Sequence, residues 1–204
     1  MKATSAVELI KQEHAALAGV LKSIQTLAES GPQDDPVKFF EAIAAMLFYV
    51  DEFPERCHHP TESNLLFPTL LKAAPELHGV IHQLEMDHVA GEGRVRKLQH
   101  QLLAWRFLGA ERRTQFIEAL AEYIRFYLRH MSLEESELLP LVPRLTPEQR
   151  AKLDVAFEAA MDPLVGGKSH TVYAELLDRI VSLRQASMNS SAFDGGAAPS
   201  GTMR

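Results

Sequence analysis

The chain has 204 residues, 46% of them hydrophobic, and a formal net charge of −6 at neutral pH. That is enough apolar material for a domain with a sizeable core, and the acidic balance without a long basic run argues against nucleic acid or an anionic membrane as a partner. No apolar run approaches the roughly 20 residues needed to cross a bilayer, and the single cysteine, Cys57, excludes an internal disulfide or a cysteine-based zinc site.

Gly and Pro are sparse except at apparent breaks, and Leu, Ala, Glu, Arg and Gln are abundant. The expectation is an all-α chain: an antiparallel up-down four-helix bundle followed by two additional C-terminal helices. Met1-Lys2-Ala3 leads straight into an amphipathic pattern, not into a signal peptide, so a reducing cytoplasm is the simplest compartment. The first helix starts at a Thr4 or Ser5 cap, carries the seam Val7, Ile10, His14, Leu17, Leu21, Ile24, Ala28, and ends at Ser30-Gly31-Pro32. Pro36 opens the second, whose seam runs Phe40, Ile43, Leu47, Val50, Pro54, His58, Glu62, Leu65. Pro54 and Pro60 predict kinks in one bent helix ending near Lys72.

After the turn Ala73-Ala74-Pro75, the third helix carries Leu77, Ile81, Leu84, His88, Glu92, Val95, Leu98 and Leu102, and stops near Gly109. The fourth carries Phe116, Leu120, Tyr123, Tyr127, His130, Glu134, Leu138 and Leu141, and is closed by Pro140 to Pro143. Two further helices are expected over 147–161, behind a Thr146 cap, and over 170–186. The domain expectation is a bundle over 1–142, a helical extension packed on it over 143–186, and a Ser/Gly/Ala-rich disordered tail over 187–204.

Four successive helices thus each put a histidine on the buried seam: His14, His58, His88 and His130. Three have an acid four residues on, namely Glu62, Glu92 and Glu134. Residues i and i+4 stack on one helix face, so each pair aims two ligating groups at one point. A carboxylate in a dry seam costs several kcal/mol unless something compensates it. Counted from the turns at about 1.5 Å per residue, His58, Glu62, His88 and His130 fall within roughly one helical turn of a common level. His14 fits that register less well. Imidazole and carboxylate without thiolate suit iron, manganese or zinc. Seven such ligands are too many for one ion and point to two metals in a bundle core.

These residues resemble the hemerythrin-like, HHE cation-binding family. The resemblance rests on Glu13-His14, on His58-His59-Pro60-Thr61-Glu62 with Leu65-Leu66-Phe67-Pro68, on Asp87-His88 with Glu92, and on His130-Met131-Ser132-Leu133-Glu134-Glu135 with Leu138-Leu139-Pro140. It covers roughly residues 5–142. It implies a non-haem, oxo-bridged di-iron site with His14, His58, His88 and His130 as terminal ligands and Glu62 and Glu134 as bridges. In the oxygen-carrying members a histidine stands where this chain has Glu92, a departure that argues against reversible oxygen carriage. The partner expected is a small molecule: oxygen, nitric oxide or peroxide.

Tyr123 and Tyr127, within two turns of His130, are expected to pack beside the ligands or hydrogen-bond near them. Glu135 is the acid best placed to orient an imidazole. His59, His78, His82, His100 and His170 fall off the seams and are expected at the surface. A rival, ferritin-like scheme would use the Glu-x-x-His pairs Glu55/His58 and Glu85/His88, but it leaves His14 and His130 without a role. For function, a binding or sensing protein stands beside an alternative, a di-iron peroxidase or oxidase, and beside a purely structural metal staple.

Overall fold

The structure, a computed structural model, describes residues 4–166, and all of its regular elements there are helical. The expected helix over 170–186 and the tail over 187–204 lie outside the described residues. α1 spans Ala6–Ser30, and its cap Ser5 accepts from the Glu8 amide at 3.3 Å. Gly31 takes a positive φ of 74° to end it, a conformation open to glycine at little cost. The Arg113 guanidinium donates to the last carbonyls of α1, Ala28 O and Glu29 O, and ties this end to the start of the fourth rod.

The second rod is built from α2 (Pro36–Glu52), α3 (His59–Thr61) and α4 (Phe67–Ala73), joined by π-helical turns at Pro54–His58 and Glu62–Leu66. The third is α5 (His78–Leu108). The fourth is α6 (Arg113–Leu133), which runs into a π-helical turn at Glu134–Leu138 and a 3₁₀ segment at Leu139–Arg144. α1, α2, α5 and α6 contact one another in a closed cycle, and α7 (Pro147–Ala159) lies on α1. α7 opens with the capping box of Thr146 and Gln149. Among the described residues no helix is long and apolar enough to cross a membrane.

The π-helical turns have a cause in the sequence. Each of the three ends two residues before a proline: Pro60, Pro68 and Pro140. A proline inside a helix has no N–H for the carbonyl four residues back, and its ring collides with that carbonyl. Here those carbonyls belong to Arg56, Asn64 and Ser136, the middle residue of each turn. Closing the turn five residues apart (His59 N to Pro54 O, Phe67 N to Glu62 O, Leu139 N to Glu134 O) moves the carbonyl aside without ending the rod. The cost is one extra residue per turn, so the apolar seam slips: Leu66 is buried where the straight-helix count expects Leu65, and Val142 where it expects Leu141.

Two apolar clusters divide the interior. One holds Leu17 to Ala28, Phe39 to Val50, Val95 to Trp105 and Phe116 to Met131. The other holds Ala6 to Ile10, Leu66 to Ala74, Leu77 to Leu84, Leu138 to Leu145, and Leu153 and Phe157 of α7. Every rod passes from one cluster to the other, and the buried polar residues Glu13, His14, His58, His59, Glu62, His88, His130 and Glu134 occupy the layer between them.

Candidate metal centre

The polar layer contains two groups of ligand atoms, each drawn within 4.8 Å: His14, His58, Glu62 and Glu134, and His59, Glu62, His88 and His130. In the first, His58 Nε2 lies 3.2 Å from Glu62 Oε1, and His14 Nε2 lies 3.2 Å from Glu134 Oε2. In the second, His88 Nε2 lies 3.4 Å from Glu62 Oε2, while Glu134 Oε1 lies 3.5 Å from His130 Nε2 and 3.9 Å from His88 Nε2. Each carboxylate therefore turns one oxygen to each group.

The outer nitrogens are held separately. His14 Nδ1 is 2.9 Å from Glu135 Oε1, His58 Nδ1 is 2.6 Å from Glu13 Oε2, His59 Nδ1 is 3.1 Å from Glu55 Oε2, and His88 Nδ1 is 3.0 Å from Ser63 Oγ. His130 Nδ1 faces Asp87 Oδ2 at 3.7 Å. Such outer partners fix which ring nitrogen points inward.

The inward atoms are left without hydrogen bonds: both oxygens of Glu62 and of Glu134, and the Nε2 atoms of His58, His88 and His130. A buried polar atom with no partner costs on the order of 1–3 kcal/mol, and Glu62 and Glu134 are 0% and 1% exposed. A cation in each group would compensate these atoms, and this is the fit of the residues to metal.

The electrostatics of the two groups differ. For His58, burial works against the charged ring, but the Glu62 charge and the Glu13 hydrogen bond outweigh it, and its pKa lies well above the ordinary histidine value. Burial likewise opposes charge on His14, and the Glu134 carboxylate overcomes it. Glu62, despite burial, is held well below the usual carboxylate range by the charge on His58. His59 is pushed well below the ordinary value by burial and by the neighbouring His88 and His58 rings. His130 is also lowered, mainly by burial.

Of the seven residues expected as ligands, the structure brings together His14, His58, Glu62, His88, His130 and Glu134, and leaves out Glu92. The buried face of α5 runs Leu84, His88, Gly91, Val95, so the position facing the centre after His88 is a glycine. Glu92 is turned one residue round the helix, 48% exposed and paired with Arg96. Glu92, expected as a ligand, therefore stands apart from both groups of ligand atoms.

His59, expected at the surface, is 4% exposed and stacks on the His88 ring with centroids 4.1 Å apart. The π-helical turn at Pro54–His58 is the reason: its extra residue lets two consecutive side chains face inward, His58 into one group and His59 into the other. The sequence signal that points to it is Pro60, six residues after Pro54.

Tyr127 donates to Glu55 Oε1, so the chain Tyr127, Glu55, His59 backs the second group. Burial raises Glu55 to about 7 and Tyr127 well above its ordinary value. Tyr123 packs on Tyr127 with ring centroids 4.8 Å apart. Glu135 stands where it was expected, beside an imidazole. Glu13 is buried against His58. Glu85 is exposed and Glu55 is engaged with His59 and Tyr127, so the ferritin-like scheme is not assembled. A pocket of about 290 Å³ opens beside the second group, lined by Glu55, His59, Ser63, His88 and Glu92 among others.

Buried imidazoles and carboxylates converging between helical rods define a cation-binding helical protein. The chain belongs to the hemerythrin HHE cation binding domain family, whose family model matches residues 5–142. No curated protein and no solved structure matches it.

Proposed function

We propose that residues 5–142 form an up-down four-helix bundle holding a pair of metal ions, with iron as the cellular metal, and that the centre binds or senses a small ligand such as oxygen, nitric oxide or peroxide. The observation that carries this reading is the division of the two carboxylates: Glu62 and Glu134 each present their two oxygens to different histidine groups. A single ion cannot use that arrangement, whereas a bridged pair uses all of it. His14 and His58 would hold one ion, His59, His88 and His130 the other, with Glu62 and Glu134 between the two groups. Bound iron supplies redox-active positions at which a small diatomic molecule or peroxide attaches.

Around it the protein excludes bulk water with two apolar clusters, and it fixes each imidazole through its outer nitrogen. Iron analysis and a visible spectrum of aerobically purified protein test the proposal. Two irons per chain with charge-transfer bands are expected. One zinc, or no metal, overturns it.

The enzymatic alternative is a di-iron peroxidase or oxidase. Its support is the chain from Tyr127 through Glu55 to His59, which backs the second group. Steady-state peroxide consumption separates the readings: turnover faster than that of free ferrous ion favours the enzyme.

A further inference from the structure

The segment after α7 lies outside the family domain, yet it reaches the ligand layer. Its Asp162 is 6% exposed. The Asp162 backbone amide donates to Glu13 Oε1 at 2.8 Å, and the other oxygen of the same carboxylate, Oε2, is 2.6 Å from His58 Nδ1. The Asp162 side chain is fastened in turn: Tyr49 of α2 donates its hydroxyl to Oδ2, and the Leu164 amide donates to Oδ1 at 2.7 Å, closing the turn. Phe157 of α7 packs its ring edge-on to His58, with centroids 6.2 Å apart. At its other end, α7 is tied by Asp154 Oδ1, which accepts from the Ala6 amide at 2.7 Å.

The other imidazoles take their outer partners from within residues 5–142: Glu135, Glu55, Ser63 and Asp87. Among the described residues, His58 alone depends on a carboxylate whose second oxygen is held from beyond that range.

We propose that this turn is a latch: Asp162 fixes Glu13, Glu13 fixes the His58 imidazole, and occupation of the metal pair is thereby coupled to docking of the Asp162 turn that follows α7. The proposal rests on the reading of His58 as a ligand. Glu13 and Asp162 are positioning residues, because neither faces the inward ligand atoms. Removal of an outer partner of a metal-binding histidine weakens metal binding by roughly 10–100-fold. Undocking the latch loosens that partner without deleting it, so an effect of about 3–10-fold is expected. Coupling between two equilibria is reciprocal, so bound metal protects the latch by the same factor.

The test uses the full chain loaded anaerobically with Fe2+. Metal release to a ferrous chelator is measured for wild type, Asp162→Ala and the milder Tyr49→Phe, with Asp154→Ala as a control that loosens the far end of α7. Hydrogen exchange at Asp162, Leu164 and Val165 is followed with and without iron. The expected result is release about 3–10-fold faster in the Asp162 and Tyr49 variants and unchanged in the Asp154 variant, with exchange at the turn slowed by iron in the wild type. Equal release from all four proteins, or exchange at the turn that ignores iron, overturns the latch and leaves the metal centre standing. A wild type that takes up no iron overturns the metal reading itself.

Discussion

Gly91 offers a sharp test of how the ligand layer is built. It occupies the buried face of α5 one turn after His88. A Cβ at this position meets the Tyr127 hydroxyl at 2.6 Å and Glu55 Oε1 at 2.9 Å, whereas a Cβ at Gly93, two residues on, meets nothing within 4 Å. In an exposed helix interior, replacing glycine with alanine contributes about 0.5–1 kcal/mol through backbone entropy. Gly93→Ala should show that gain. Gly91→Ala has the same gain, opposed by an overpacking cost of about 1–3 kcal/mol, because Tyr127 is 1% exposed and its ring is wedged against Tyr123 and Phe126.

The propensity term cancels when the two variants are compared. Gly91→Ala should therefore melt below Gly93→Ala by roughly 2–12 °C, at about 2–4 °C per kcal/mol for a chain of this size. Thermal unfolding of the metal-free proteins, followed by circular dichroism, measures it. Phe at position 127 removes the atom at 2.6 Å, so the penalty should shrink in the Gly91→Ala/Tyr127→Phe double variant, and a double-mutant cycle isolates that coupling. If Gly91→Ala is as stable as Gly93→Ala and the cycle shows no coupling, the close approach of α5 to Tyr127 and Glu55 does not constrain the site.

Three further outcomes follow from the same geometry. His59→Ala should lower metal content from two ions toward one per chain by elemental analysis, while Glu92→Gln and the surface control His100→Ala retain two; loss of metal in the Glu92 variant would restore that residue as a ligand. Metal uptake should release protons chiefly from the His14 and His58 group, whose raised pKa values favour the protonated ring, whereas the lowered values of His59 and His130 favour the neutral one. As pH falls, the first group should therefore empty before the second, and metal content measured against pH should pass through a one-ion plateau; simultaneous loss of both ions refutes the asymmetry. Stripping the metal with a chelator should lower the melting temperature, since free metal at 100-fold above its dissociation constant stabilises the native state by about 2.7 kcal/mol for each site; an unchanged melting curve would mean that the orphaned carboxylates need no cation.

The helices and most of the converging residues are legible in the sequence, because a period of three and four residues survives wherever the backbone is a regular α-helix. The seams of α1, α5 and α6 name Ile10, His14, Leu17, Leu84, His88, Tyr127 and His130 correctly as buried. The count fails where the helix stops being regular or where the seam takes a step of three in place of four. Leu65 was expected where Leu66 is buried, and His59 was assigned to the surface, because both lie past a π-helical turn that a fixed 100° step cannot represent. Glu92 was assigned to the centre because a spacing of four from His88 matched the other pairs. The actual step is three, to Gly91, and a residue with no side chain leaves no trace in a search for ligands. The latch at Asp162 was illegible for another reason: its contact with Glu13 is made by a backbone amide, and no side-chain pattern reports that.

The prolines tie these departures together. A straight helix aims a histidine and the acid four residues on at one point, which suits one ion. The two ions proposed here would ask the second rod for more: one imidazole for each, and a carboxylate between the two groups. The dipeptide His58-His59 meets the first demand only if neighbouring side chains both face inward, which the π-helical turn before it allows. Glu62 and Glu134 each open a π-helical turn that a proline six residues later enforces. The turns are therefore written into the covalent chain and do not depend on an ion to hold them open. In this way the prolines that redirect the helices also set Glu62 and Glu134 between the two histidine groups.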